Sequence, residues 1–153
     1  MNILIAILTL VALVIAIGQW NKYRRRRAAA INILLAKATF QALPSDKQEL
    51  VKETAVRQVS RLSGGRFGGF GGEYAQFGCY AHALAHLEIP PAIEDYCYPR
   101  WYMVKNPFTD IRPSDPLIDA IAAEIRRRHG VALEINKRMT LFDDLIARDR
   151  EGR

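Results

Sequence analysis

"MNILIAILTLVALVIAIGQWNKYRRRR", residues 1–27, opens with sixteen apolar residues in twenty, interrupted only by Asn2, Thr9, Gly18 and Gln19. No charged side chain precedes Lys22; Lys22 and Arg24 through Arg27 then put five cations into six positions with no acid among them. A helix of about 20 residues rises roughly 30 Å, the thickness of the hydrocarbon core of a bilayer. In lipid every backbone NH and C=O must be bonded within the segment, so the Ile and Val content that favours strand in water yields to helix. The stretch predicts a transmembrane anchor over 1–20 and a basic stop behind it. Trp20 and Tyr23 fall where an interfacial aromatic belt belongs.

Two other readings compete with the anchor. A cleavable signal peptide carries cations before its apolar run and a small-x-small site after it. Ala16 and Gly18 can supply the site, but the cations here come after the run. A buried core helix would leave twenty residues, apolar nearly all round, to be covered by a small domain. Cations directly after a span hold that flank in the cytoplasm. The expected arrangement is therefore an N-terminus outside and a cytoplasmic body, as in a bacterial inner membrane. The expected interface residues are Trp20, Lys22, Tyr23, Arg24, Arg25, Arg26 and Arg27, and membrane lipid is the first expected partner.

The charge distribution carries this further. The chain of 153 residues has 22 basic and 16 acidic side chains, but outside the block the 17 remaining cations face all 16 anions. The body is close to neutral. A nucleic-acid binder spreads its cations over a face that tracks phosphates, whereas this chain stacks them beside an apolar segment, and "RRRHG" at 126–130 is the only other cationic cluster of note. The pattern argues against nucleic acid as a partner. In a cytoplasmic body Cys79 and Cys97 are expected as thiols or ligands rather than a disulfide.

The rest of the chain reads as mainly α: a single transmembrane helix followed by a small helical cytoplasmic domain. "AAAINILLAKATFQAL" (28–43) is rich in helix formers without Gly or Pro, so 21–43 is expected as a basic stop and connecting helix, bent if anywhere at Gly18 and ended by Pro44. Residues 44–153 form the expected compact domain. Its first helix starts at Ser45 as N-cap, with Gln48 completing a capping box, and runs to Gly64 or Gly65 with Val51, Ala55, Val59 and Leu62 on one face. A glycine-rich connector (63–72) leads to an almost wholly apolar segment, Glu73 to Ile89, expected as the buried central helix. A proline- and aromatic-rich loop follows over 90–115. Asp115 as cap, Pro116 at the first helical position and Gly130 behind a cationic last turn bound the next helix. Residues 131–136, "VALEIN", alternate like a short strand, and "LFDDLIARDR" suggests a last helix capped by Thr140.

Three motifs invite chemistry. "SGGRFGGFGGEY" resembles a phosphate cradle only superficially: no GK[ST] follows, and Glu73 puts a negative charge where an anion would bind. The glycines read instead as a hinge or loop held by Phe67 and Phe70. In "CYAHALAH", Cys79, His82 and His86 share one helical face, and two imidazoles at i,i+4 can chelate zinc or iron with a thiolate as third ligand. Cys97, Glu94, Asp95 or Glu88 are possible completions. Position 83 is Ala, so the helix lacks the adjacent carboxylate base of an HExxH site. The competing account is that small Cys and Ala residues serve tight packing. The loop residues Tyr96, Tyr98, Trp101 and Tyr102 are of the types that dominate protein interfaces, and are candidates for a partner surface if they do not cap the core. The function expected from these features is a membrane-anchored, noncatalytic interaction or accessory subunit with a protein partner; the alternative is a metal-binding module on Cys79, His82 and His86.

Overall fold

The computed structural model describes residues 2–62, 72–93 and 114–136, and among these it is all helical, with four helices and no strand. They are α1 (Asn2–Ala42), α2 (Ser45–Leu62), α3 (Gly72–His86) and α4 (Pro116–His129). The expected class, a long apolar N-terminal helix followed by a small helical domain, is what forms. The connector at 63–71, residues 94–113 and everything from 137 onward lie outside the described residues. With them lie the expected last helix, Cys97, Glu94, Asp95 and the loop aromatics Tyr96, Tyr98, Trp101 and Tyr102.

α1 has 41 residues, which makes it about 60 Å long at the standard helical rise. It runs unbroken through Gly18, where an added Cβ would meet nothing within 4 Å. The expected bend at that position does not interrupt the helix. Its two halves have opposite surroundings. From Ile3 to Arg25 every residue is exposed, whereas the nine residues from Ala28 to Ala36 are all buried.

The second half of α1 shares the centre of the domain with α3, which is buried as expected and lies between α1 and α2, while α4 packs on the other side of α1. The physical reason is composition around the whole circumference. Ala28, Ala29, Ala30, Ala36 and Ala38 let neighbouring backbones approach, and Ile31, Ile33, Leu34 and Leu35 fill the spaces between them. α2 reaches the core mainly through α3, burying Val51 and Ala55 as its apolar stripe predicts.

Helix ends follow local rules with two departures. α1 stops at Ala42 before Pro44, and the Gln48 amide donates back to the Phe40 and Leu43 carbonyls at 3.0 and 2.9 Å. The residue read as half of a capping box on α2 thus satisfies orphan acceptors at the end of α1. α3 ends at His86 rather than Ile89. Its last turn is closed by Ile89 N–H to Leu84 O and Glu88 N–H to Ala85 O, with Glu88 at φ 54°. That is a Schellman closure with a non-glycine residue in the left-handed position.

α4 matches its sequence signals closely: Asp115 accepts from Leu117 N–H, Pro116 opens the helix, and Gly130 at φ 70° closes it. Ile118, Ile121 and Ile125 are its buried stripe. Beyond it, residues 131–136 pair into no sheet among the described residues, yet their alternation is realised. Leu133 is buried, Val131 and Ile135 are half-buried, and Ala132, Glu134 and Asn136 are exposed. Period-two burial arises here from a strap lying on a helical core, which needs no second strand.

Candidate membrane interface

The exposed half of α1 contains a stretch long and apolar enough to cross a membrane, and none of its 18-residue window is buried against the domain. Ile15 and Ile17 are 58% and 52% exposed, while Ile33 and Leu34 are 0% exposed. At the lower end of the rod Trp20 and Tyr23 stand with ring centroids 6.2 Å apart, both exposed. Lys22, Arg24 and Arg25 are exposed as well.

Arg26 and Arg27 belong to a different environment. Arg26 Nε and Nη2 both donate to Asp115 Oδ2, the former at 2.9 Å, so the N-cap of α4 is also the anchor for an arginine of α1. Arg27 Nη2 lies 3.5 Å from Glu124 Oε2, and the other oxygen of Glu124 takes Arg128 Nη2 at 3.1 Å. The cation block is thus split. Three residues face outward beneath the apolar rod, and two form a collar that ties α1 to α4 where it enters the domain.

The electrostatics of the collar favour the charged state. Burial pushes the Asp115 carboxyl up, but the Leu117 N–H and the Arg26 guanidinium outweigh it and hold the group below its ordinary value. One oxygen serves the helix cap and the other the arginine.

A second tie sits deeper. Lys37 Nζ donates to Glu73 Oε1 at 2.6 Å and to the Glu134 carbonyl, and stands 5.6 Å from the Phe77 ring centroid. Glu73 also accepts from Asn136 N–H, so one Lys–Glu pair joins α1, α3 and the strap. Phe40, Phe77 and Tyr80 pack beside it, with the Phe40 and Tyr80 centroids 4.7 Å apart and Phe77 edge-on to Tyr80 at 5.6 Å. Thr39 Oγ1, itself bonded back to the Leu35 carbonyl, accepts from Ala92 N–H and pins the segment after α3. Asn32, 3% exposed on the central helix, has neither end of its amide paired.

The expected metal-ligand stripe is not brought together. Cys79 is a free, buried thiol; His82 is half-buried and His86 exposed. Among the described residues no three His, Cys, Asp or Glu side chains gather around one point. The spacing explains part of this: Cys79 and His86 share a direction but are about 10 Å apart along the axis, and α3 carries the latter past the edge of the core. Burial also pushes the Cys79 thiol up to about 12, far from the thiolate a ligand or nucleophile needs. Glu88, a proposed completion, is exposed at the helix end.

A groove of about 410 Å³ runs between α4 and the strap, lined by Ile118, Ala122, Arg126, Leu133, Glu134 and Ile135 among others. The collar, the Lys37 hub and Asn32 escaped sequence reasoning. Only Asp115 and Glu124 carried a usable signal, as a cap and as half of an i,i+4 pair. Comparison with family models, with curated proteins and with solved structures finds no match to this chain.

Proposed function

We propose that the chain is a single-pass membrane protein whose helical body serves as a noncatalytic interaction or accessory subunit of a membrane-associated complex. The observation that carries this reading is the continuity of α1: an uncovered apolar rod and the most buried helix of the domain are one uninterrupted element. A body built this way is held at the membrane by its own core rather than by a flexible leash. The buried, protonated Cys79 thiol supports a packing role in preference to a chemical one.

The proposed topology has the N-terminal flank outside and the body in the cytoplasm, as in a bacterial inner membrane, because the five cations follow the span. All five cations count toward orientation, because the bias is set by the Lys and Arg residues that lie close to the end of a span. The partner surface we assign is the proline- and aromatic-rich segment with Tyr96, Tyr98, Trp101 and Tyr102.

The test is made on membranes from cells producing the full chain with a C-terminal epitope. The expected result is resistance to alkaline carbonate extraction and an epitope protected from protease added outside. Mild-detergent purification should yield a protein partner in stoichiometric amount, lost with Tyr98→Ala and Trp101→Ala while membrane retention persists. Release of the chain without detergent overturns the anchor, and purification of the chain alone overturns the accessory role.

A further inference from the structure

The cationic cluster at 126–128 lies about a hundred residues from the arginine block, yet Glu124 joins the two. Its carboxylate holds Arg27 of α1 on one oxygen and Arg128 of α4 on the other, at 3.5 and 3.1 Å. A single carboxylate therefore separates the last turn of α4 from the foot of the apolar rod. Arg126 and Arg127 on that turn are exposed, and Arg128 keeps 58% of its side chain exposed despite the pair. Lys22, Arg24 and Arg25 are exposed just above.

The charge of this composite face is one-sided. Among the described residues around the junction stand eight cations, Lys22, Arg24–Arg27 and Arg126–Arg128, against four carboxylates, Asp115, Asp119, Glu124 and Glu134, the last lining the α4 groove with Arg126. Two of those carboxylates are occupied in holding the helices together. The collar also fixes the height of Arg128, which Glu124 ties to Arg27, and Arg126 and Arg127 belong to the same last turn. Arg27 lies seven residues below Trp20, about 10 Å along the helix axis. A headgroup layer adds roughly 5–7 Å to each side of the hydrocarbon core, and electrostatic attraction persists over about 8 Å at physiological ionic strength. With Trp20 at the interface, the last turn of α4 falls inside that range.

We infer that Arg126, Arg127 and Arg128 join Lys22, Arg24 and Arg25 in one binding surface for anionic phospholipid headgroups, so that the body itself rests on the bilayer. The inference rests on the anchored reading above, since only an inserted rod brings α4 to this height. Its occupant is lipid because the cations ring an apolar rod. A nucleic acid would need the same charges on a face free of the bilayer. The role needs positive charge at this height, which a guanidinium or an ammonium group supplies to a headgroup phosphate.

The experiment uses the full chain reconstituted into vesicles of phosphatidylcholine and phosphatidylglycerol, then extracted in mild detergent, with retained lipids quantified by mass spectrometry. Wild-type protein is expected to carry phosphatidylglycerol enriched several-fold over the bulk mixture. R126Q/R127Q/R128Q should lose at least half of that enrichment, K22Q/R24Q/R25Q a comparable part, and R126K/R127K/R128K little. Circular dichroism should show unchanged helix content in all three. Enrichment unaffected by R126Q/R127Q/R128Q overturns the α4 contribution while leaving the anchor standing. Failure of the chain to enter phosphatidylcholine vesicles overturns the anchor and this surface together. Displacement of the retained phosphatidylglycerol by a short RNA duplex at physiological salt overturns lipid as the occupant.

Discussion

Residues 3–20 and residues 28–39 belong to one helix and are both apolar on nearly every side, but the first stretch is bare and the second is the most buried part of the domain. Bulk hydrophobicity does not tell them apart. What differs is grain. The upper stretch is built mainly of Leu, Ile and Val with three scattered alanines, a bulky apolar surface that suits the proposed span. The lower stretch has alanines at 28, 29, 30, 36 and 38, where α3 and α4 can come close, and polar side chains at Lys37 and Thr39 bonded to α3 and to the segments that follow α3 and α4. Small residues and a few directed polar groups mark the half that packs against protein, whereas the bulkier half stays bare, as the proposed anchor requires.

The sharpest way to break that contrast is the same substitution in both stretches. Leu34→Ala removes a side chain with 0% exposure and should cost about 3 kcal/mol of domain stability through lost burial and a residual cavity. Leu10→Ala, at a position 61% exposed, should leave domain stability unchanged. Urea unfolding of the full chain in mild detergent measures both. Equal effects would mean that the two halves are not in different surroundings.

Between the halves lies the collar, and Asp115→Ala probes it. The loss of an N-cap costs about 1 kcal/mol, and the stranded Arg26 guanidinium raises the expected total to about 2 kcal/mol. The pH dependence has a definite sign. The Asp115 carboxyl is held below its ordinary value in the folded chain, and an unfolded Asp titrates near about 3.9. Between the two values the folded state binds fewer protons than the unfolded one, so stability rises with pH across this window. The contribution is complete above about pH 4 and disappears as the pH falls through the folded value. Asp115→Asn should flatten that acid limb in urea titrations, while an unchanged limb would assign the loss to other carboxylates.

How much of this was legible depended on whether the signal was local. The bounds of α4 were readable because Asp115, Pro116 and Gly130 act within a turn of where they stand. So was the stop at Pro44, and so was the helical character of the described residues. The role of 28–39 was not readable, because an all-round apolar helix looks the same whether lipid or protein surrounds it. Arg26 and Arg27 looked like any stop-transfer cations, since their partners lie 89 and 97 residues away and one of them was already explained as a cap. The capping pattern points Gln48 to its own helix because that pattern is local, whereas the carbonyls it serves belong to the end of the previous helix. The Cys–His stripe was correct as a helical face, but a face says nothing of where the core ends along the axis.

Asn32 sharpens the comparison from the buried side. It is the one residue between Ala28 and Ala36 whose side chain carries polar atoms, and neither end of its amide is paired among the described residues. An unsatisfied buried amide costs about 1–3 kcal/mol, and Ala is the better helix former by several tenths. Against this stands the modest packing that the amide supplies. Asn32→Ala should therefore stabilise the domain by about 1 kcal/mol, read as a raised urea midpoint at unchanged slope. A lowered midpoint would show that the amide has a partner in solution, such as an ordered water.

The smallest expected effect is in the bare stretch, at Gly18. Its position near the end of the span suggests a bend, but the helix passes through it and an added Cβ would meet nothing within 4 Å. In water an exposed helical Gly→Ala gains roughly 0.5–1 kcal/mol from reduced backbone freedom. Within lipid the helix is already enforced by the need to bond every peptide group internally, so most of that gain is already in place. Gly18→Ala should change neither carbonate resistance nor the urea midpoint of the domain by more than about 0.5 kcal/mol. A larger shift in the midpoint would mean that the rod flexes at Gly18 and that the strain reaches the collar. The upper and lower halves of α1 would then be two hinged elements, and the rigid connection between anchor and core would have to be given up.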